Sequence, residues 1–345
     1  MKVSSINGMG SYGVYIDDVD FENLTDEEWK EIGHIHLKNL VTIIRNCNLS
    51  SKKQLQWMKK FGNPKHGIFY RMMKKYGTSS LRELAHLSHD DSNLMDPEDK
   101  IVMKEHSRVR ARVSAIKDDK GRPMGLFDEG ELLWHSNEGG TLAFTPGVAL
   151  LGEKCMVGSS TGFLQTADYY ESVSDSFRSE LDEMVLTHRY MPGLINPRLD
   201  DELGRSNMCP VDDVEIPMVI TSPGGIKGLH YPLNTAYGIC GMTKAEADKV
   251  FEEVNKYLLT DQYIFDHKYQ SDNDLMLFDN SITLHRRLDS VPGRLAYRIQ
   301  HDYSEIQDGF WQPYSQELFA EKYREESEDM AKTLGLSSLN LYQAS

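Results

Sequence analysis

A chain of 345 residues with a formal charge of −15 is a poor general partner for a phosphate backbone or an anionic membrane, since both are held mainly by clustered Lys and Arg. Its apolar content of 39% supports a packed core, and no stretch approaches the ~18 apolar residues of a spanning helix. Met1-Lys-Val-Ser-Ser has no long apolar run behind its lysine, and Cys47, Cys155, Cys209 and Cys240 form no CxxC or zinc-ribbon pattern, so the expectation is a cytoplasmic protein with free thiols and no signal peptide.

Thr25-Asp-Glu-Glu28 is a capping box and predicts a helix from there to about Lys38. Leu40–Arg45 reads as a buried strand and Ser51–Phe61 as a short helix ending at Gly62. From 65 to about 128 the pattern breaks into charges, turns and four histidines, with only Val109–Ser114 alternating like a strand. A segment of that length in a compact domain is expected to be a lid or binding loop. His86 and His89 within it have a spacing that can ligate a metal, but such pairs more often cap a turn or face solvent.

Leu132-Leu-Trp-His-Ser-Asn-Glu138 sets His135 at the end of an apolar run, two positions before Asn137. Pro146–Leu151 reads as a continuous apolar strand, and 158–162 as a turn before Phe163–Thr166. Tyr170, Val173, Phe177, Leu181 and Met184 recur at helical spacing and predict one amphipathic helix over 167–185. Met218–Thr221 and Lys227–Tyr231 flank a Pro-Gly-Gly turn, as in strand-turn-strand. Thr243-Lys-Ala-Glu246 is a second capping box, opening a helix with Val250, Phe251, Val254, Tyr257 and Leu258 on one stripe. Asp274–Phe278 and Leu295–Tyr303 read as strands, with His285 and the turn Val291-Pro-Gly293 between them, and 315–345 as a charged helical tail. Many short strands with capped helices around them indicate a mainly β (α+β) jelly-roll core with flanking helices, rather than alternating βα units. Length permits one domain or two, and a single domain over 1–345 is expected.

Non-haem iron(II) sites hold their ion with two histidines and one carboxylate on one face, leaving the other open. A His-x-acid pair on one strand and a second histidine on a facing strand is how a β-barrel builds that triad. His135 and His285 suit the two imidazole positions, although either alone would more often be a satisfied core histidine. The acid position holds Asn137.

In their order along the chain, Gly13–Asp20, Val41–Arg45 with Phe61-Gly62, Trp134-His135, the turn at 158–161, Asp279-Asn280 to His285, and Arg294-x-x-x-Arg298 resemble the iron(II)- and 2-oxoglutarate-dependent oxygenases of the taurine dioxygenase and clavaminate synthase type. The resemblance covers most of the chain and implies a double-stranded β-helix. It implies Fe(II), 2-oxoglutarate and O2 as cofactor and cosubstrates, with His135 and His285 on the metal. Thr161 and Arg294 match the hydroxyl and guanidinium that hold the distal carboxylate of 2-oxoglutarate, where a planar fork suits a carboxylate. Arg298 is its understudy, or faces substrate. Asn234, His230 and Tyr231 fall where relatives line the substrate pocket, and Glu131 where a relative contacts substrate. The expected partner is a small polar molecule, with no nucleic acid and no membrane, and a homo-oligomer is compatible.

Asn137 leaves four alternatives open. The amide ligates in a working oxygenase; Glu138 takes its place, against the alternation of a strand; an exogenous anion fills the position, as in related halogenases, which carry the smaller Ala or Gly; or catalysis is disabled. Hydroxylation is the default outcome of an active site of this kind, with desaturation, ring closure and halogenation reached through the same chemistry. The rival from another class is a non-catalytic β-helix protein that binds a small acid or a metal. A zinc hydrolase lacks a convincing third ligand.

Overall fold

The computed structural model describes residues 1–47, 49–62, 64, 110–117, 121, 130–140, 144–189 and 213–306. Most of the 65–128 segment, with His86 and His89, and all of the 315–345 tail lie outside the described residues. The architecture is mainly β, with a few helices on its flanks.

Two sheets supply the frame. The larger has seven strands in the order β1 (Lys2–Ser5), β2 (Val14–Asp17), β3 (Val41–Ile44), β14 (Leu275–Asp279), β6 (Gly147–Lys154), β16 (Leu295–His301) and β4 (Arg110–Ser114). Only β2 and β3 run parallel within it. The smaller has four, β13 (Ile264–Lys268), β7 (Ser160–Gln165), β15 (Thr283–Arg287) and β5 (Leu132–His135), all antiparallel. A three-stranded sheet, β12 (Ala236–Ile239), β8 (Val185–His188) and β9 (Val214–Pro217), and the hairpin β10 (Val219–Thr221) with β11 (Lys227–Leu229) complete the set among the described residues.

The central strands β14 and β6 carry continuous apolar runs, Leu275–Phe278 and Val148–Leu151, because both of their faces are covered. Side chains alternate between the faces. Ile44, Ala149, Leu151, Leu275, Leu277 and Ile299 pack with helices α1 (Asp26–Asn39) and α2 (Ser51–Met58). Val41, Ile43, Val148, Leu150, Met276, Phe278 and Ala296 turn the other way and meet Phe163 of the small sheet. Helix α1 starts where its capping box predicts: the Thr25 hydroxyl accepts from the Glu28 amide at 3.2 Å, and the Glu28 carboxylate accepts from the Thr25 amide at 2.8 Å. Gly33 lets α1 lie close, since a Cβ there would stand 2.7 Å from Ile306 and 2.9 Å from Phe61.

Three sequence expectations are corrected. The single helix over 167–185 is two, α3 (Ala167–Ser172) and α4 (Asp175–Glu183), because Val173 is extended and Ser174 caps a new start by accepting from the Phe177 amide at 3.3 Å. In α5 (Lys244–Leu258) the buried stripe is Ala247, Phe251, Val254 and Leu258, while Tyr257 is 49% exposed. The 158–162 turn is shorter than expected. Ser160 to Gly162 already belong to β7, which places Thr161 opposite His267 of β13.

Candidate active site

His135 and His285 are direct cross-strand partners in the β5–β15 pair. Residues opposed in an antiparallel pair send their side chains to the same face with Cβ atoms ~5 Å apart. The two rings accordingly lie with centroids 4.1 Å apart, although 150 residues of chain separate them. Both are buried, and burial pulls the His135 imidazole down to about 4 and that of His285 well below its usual range. Both are therefore neutral at physiological pH, the state that keeps a lone pair for a metal. The Nδ1 of His135 lies 2.7 Å from the Leu133 carbonyl oxygen, so Nδ1 carries the proton and Nε2 the lone pair. The Phe278 ring, 4.8 Å from that of His285, gives the pair a dry wall.

Asn137 follows on the turn after β5, and its backbone is gripped by Asn280. The Asn280 amide group donates to the Asn137 carbonyl at 2.8 Å and to the Thr145 carbonyl at 3.1 Å, while its oxygen accepts from the Asn137 N–H at 2.9 Å. Ser136 adds hydroxyl bonds to the Asn280 carbonyl (2.7 Å) and side-chain oxygen (3.0 Å). One fully buried amide thus fixes residue 137 relative to the strand carrying His285. The Asn137 side chain accepts from Arg298 Nη1 at 2.7 Å, and its Nδ2 is buried with no partner among the described residues. Glu138 takes a positive φ of 57° in the same turn. It therefore escapes strand alternation, and its charge offsets the burial that lowers the Arg298 pKa.

Arg294, Ala296 and Arg298 are alternate residues running into β16, with Ala296 on the inner face. Arg294 is 2% exposed, and its Nε and Nη1 have no partner among the described residues. Beside it lies Tyr269, whose hydroxyl is 3.1 Å from Thr161 Oγ1 and whose pKa burial raises to about 12. A buried guanidinium with spare donors, a hydroxyl and a phenol form a cradle suited to a carboxylate.

The structure therefore brings His135, Asn137, His285 and Arg298 together, and separately Thr161 and Arg294. Asn234 reaches the same turn, its side-chain oxygen 3.3 Å from the Ser136 N–H. His230 also reaches it, but both of its nitrogens lie 2.7 Å from main-chain carbonyl oxygens, of Ser281 and Gly139, which leaves neither free for a substrate. Tyr231 is not brought to this group: it packs in the core against Phe251, ring centroids 5.4 Å apart. Glu131 is exposed where the chain enters β5. Two site residues escape the sequence reading. Asn280 stands inside a recognised stretch without its role being visible, and Tyr269 was signalled only by the alternation of Phe265, His267 and Tyr269.

As a test of fit, the paired neutral imidazoles suit a divalent ion, and the partnerless guanidinium nitrogens of Arg294 suit a dicarboxylate. The third position does not fit as well, since an amide carries no charge and its one oxygen already serves Arg298. Accordingly, no group of three His, Cys, Asp or Glu side chains able to hold a metal occurs among the described residues. No helix of the described residues is long and apolar enough to cross a membrane.

Paired imidazoles with a buried guanidinium in a mainly β frame are what a metal-dependent oxygenase is built from. Residues 7–300 match the family described as taurine catabolism dioxygenase TauD, TfdA family, and the chain belongs to it. Solved structures share the fold. A taurine dioxygenase from Burkholderia xenovorans superposes with a TM-score of 0.60 at 18% identity, covering 90% of this chain and 93% of its own. AAD-2, solved in complex with Mn(II) and N-oxalylglycine, gives 0.60 at 15% identity, with 90% and 98% covered. No curated protein matches the chain in sequence.

Proposed function

We propose that this protein is an Fe(II)- and 2-oxoglutarate-dependent oxygenase that oxidises, by default hydroxylates, a C–H bond of a small polar substrate. The observation that carries the reading is the opposition of His135 and His285 across one strand pair, rings 4.1 Å apart, with Thr161 of the Arg294 cradle on β7, the strand that pairs with the other edge of β15. The two sheets are read as the double-stranded β-helix of the family, in a single domain. When bound, iron(II) with 2-oxoglutarate and O2 supplies the oxidising chemistry, and 2-oxoglutarate leaves as succinate and CO2.

The chain's own residues supply binding, orientation and dryness. His135 Nε2 and a His285 nitrogen hold the metal, with the His135 tautomer set by Leu133. Arg294 and Thr161 take the far carboxylate of 2-oxoglutarate, and Tyr269 orients the Thr161 hydroxyl. Asn280 holds the turn so that residue 137 stays beside the imidazoles. Arg298 supports that turn through Asn137, and Asn234 is the remaining substrate-side candidate. Succinate release from 2-oxoglutarate under iron(II), ascorbate and air tests the proposal, with His135→Ala and Arg294→Gln as controls. Failure of the wild type and of Asn137→Asp to make succinate would sink it.

A second reading has one observation in its favour. The Asn137 oxygen is engaged by Arg298, as suits a protein that binds a small acid or a metal without turnover. Succinate from Asn137→Asp alone would identify a disabled enzyme.

A further inference from the structure

A buried acid–base pair stands behind the cradle of Thr161, Tyr269 and Arg294. His267 is the direct cross-strand partner of Thr161 in the β13–β7 pair, so its side chain goes to the same inner face. Its ring lies edge-on to Tyr269, centroids 4.9 Å apart at 73°. Its Nε2 is 3.0 Å from Asp274 Oδ2. An ionised carboxylate only accepts, so Nε2 carries the proton and Nδ1 the lone pair. The other Asp274 oxygen accepts from the Asn46 N–H at 2.9 Å, which fixes the carboxylate just before β14. The two side chains are only 5% and 3% exposed.

The charge of this pair reaches the cradle. Burial is the main cause that lifts the Tyr269 phenol to about 12; Arg294 and the Thr161 hydroxyl pull it down, and Asp274 pushes it further up. Tyr269 thus feels both Arg294 and Asp274, one hydrogen bond away from the Thr161 hydroxyl. The pair is also within reach of protons, because His267 lines a cleft of about 760 Å³ beside β13. Around that cleft Asp17 is held by Arg45 in two bonds of 2.7 and 2.5 Å, and Asp266 by Arg286 at 3.1 and 2.7 Å, so these four charges cancel. Lys2, Lys268 and Asp18 complete its charged lining. Tyr15, a phenol that burial raises, has its ring 6.3 Å from that of His267. Of these residue types, histidine is the one that changes charge between pH 5 and 8.

We infer that His267 and Asp274 are positioning residues for the cosubstrate cradle, and that they make its grip on the far carboxylate depend on pH. With His267 neutral the pair carries one negative charge, that of Asp274, which opposes a carboxylate entering beside Thr161. A proton on His267 Nδ1 cancels that charge, and the carboxylate then meets Arg294 unopposed. Lower pH thus favours 2-oxoglutarate, and bound 2-oxoglutarate favours the proton on His267 by the same factor. The inference rests on the reading of Thr161 and Arg294 as the site of the far carboxylate.

The full-length protein loaded with Zn(II), a diamagnetic ion, would be titrated by calorimetry at pH 6, 7 and 8. The two ligands are 2-oxoglutarate and 2-oxopentanoate, which has a methyl group in place of the far carboxylate. The ratio of their Kd values removes pH effects on the metal end. The preference for 2-oxoglutarate should fall by about fivefold or more from pH 6 to pH 8, as one charge acts across a buried setting. Asp274→Asn should hold the high preference and His267→Gln the low one, each nearly flat with pH, and loss of packing alone would not give opposite shifts. In the wild type the NMR titration midpoint of the His267 ring should rise by about 0.7 of a pH unit with 2-oxoglutarate, the same fivefold, and stay in place with 2-oxopentanoate. A wild-type preference that is flat with pH, or a His267 midpoint that 2-oxoglutarate leaves unmoved, overturns the inference. So does an equal loss of preference in both variants, although that result leaves the cradle reading intact. If the wild type prefers 2-oxoglutarate at no pH, the cradle reading itself fails and takes the inference with it.

Discussion

Replacing Asn280 with alanine isolates the mechanical link between the two halves of the site. The side chain satisfies the Asn137 N–H, the Asn137 carbonyl and the Thr145 carbonyl, all in a fully buried setting. Each buried main-chain group left without a partner costs ~1–3 kcal/mol. Simple addition over three gives ~3–9 kcal/mol, and relaxation of the turn keeps the result near the lower end, at ~3–5 kcal/mol. At ~2 °C per kcal/mol for a chain of this size, Tm should fall by roughly 6–10 °C. A purely structural loss would end there. If Asn280 also positions the site, Mn(II) affinity measured well below the new Tm should drop tenfold or more. Asn280→Asp, which keeps shape and the acceptor but turns an oxygen toward two carbonyls, should be no better than alanine in either measurement. Calorimetry and metal titration on the same samples separate the two effects. A Tm within 1 °C of wild type with unchanged Mn(II) affinity would refute the reasoning outright.

Arg294→Gln should weaken 2-oxoglutarate binding by at least 30-fold, since losing one partner of a buried charge pair costs ~2–5 kcal/mol. The same change should raise the Tm of the ligand-free protein, because two unpartnered guanidinium nitrogens leave the interior; isothermal titration and thermal melts check the two halves. Burial raises the Asp279 carboxyl to about 6, above its unfolded value of ~3.9. Its ionisation therefore opposes folding, and stability is lost as pH rises from about 4 to 6, by roughly 3 kcal/mol in total. Asp279→Asn, whose oxygen still accepts from the Ser281 and Ile282 amides, should gain stability over wild type through that window and hold a constant advantage above it. Denaturant melts at pH 4, 5, 6 and 7.5 would show no such divergence if the carboxyl were solvated. Thr161→Val removes one hydroxyl contact and should raise the 2-oxoglutarate Kd about fivefold, ~1 kcal/mol, without moving that of Mn(II).

What could be read in the sequence was what is local or periodic. The capping boxes at Thr25 and Thr243 need only four residues each, and both are formed. The strands around His135 and His285 could be read for the same reason, as apolar runs with turn residues at their ends. Their register could not, because strand pairing across 150 residues is set by the packing of two sheets, and a one-residue slip would turn the rings to opposite faces. Asn280 illustrates the same limit, since nothing adjacent to it reports that its partners lie 143 and 135 positions away. The break at Val173 was hidden because the apolar spacing of α3 continues into α4, and only the cap at Ser174 reveals the restart. His230 and Tyr231 were placed by resemblance alone. The structure shows what that omits: main-chain carbonyls on the ring nitrogens of one, and a packed aromatic neighbour for the other.

The geometry of this site and its charge have different origins. The imidazole pair comes from backbone register, and the turn that carries residue 137 is held by main-chain groups, so both would persist with aspartate, asparagine or a smaller residue there. The side chain at 137 decides only whether Arg298 gains a counter-charge beyond that of Glu138. With aspartate, one oxygen would face Arg298 and the second would remain for a metal. With asparagine the single oxygen is claimed by the guanidinium, which already carries a full positive charge. A second cation on that oxygen would sit within ~5 Å of the first, a repulsion of several kcal/mol at an effective dielectric of about 20, against which Glu138 is the counter-charge beside Arg298. That repulsion argues that Asn137 serves Arg298 first.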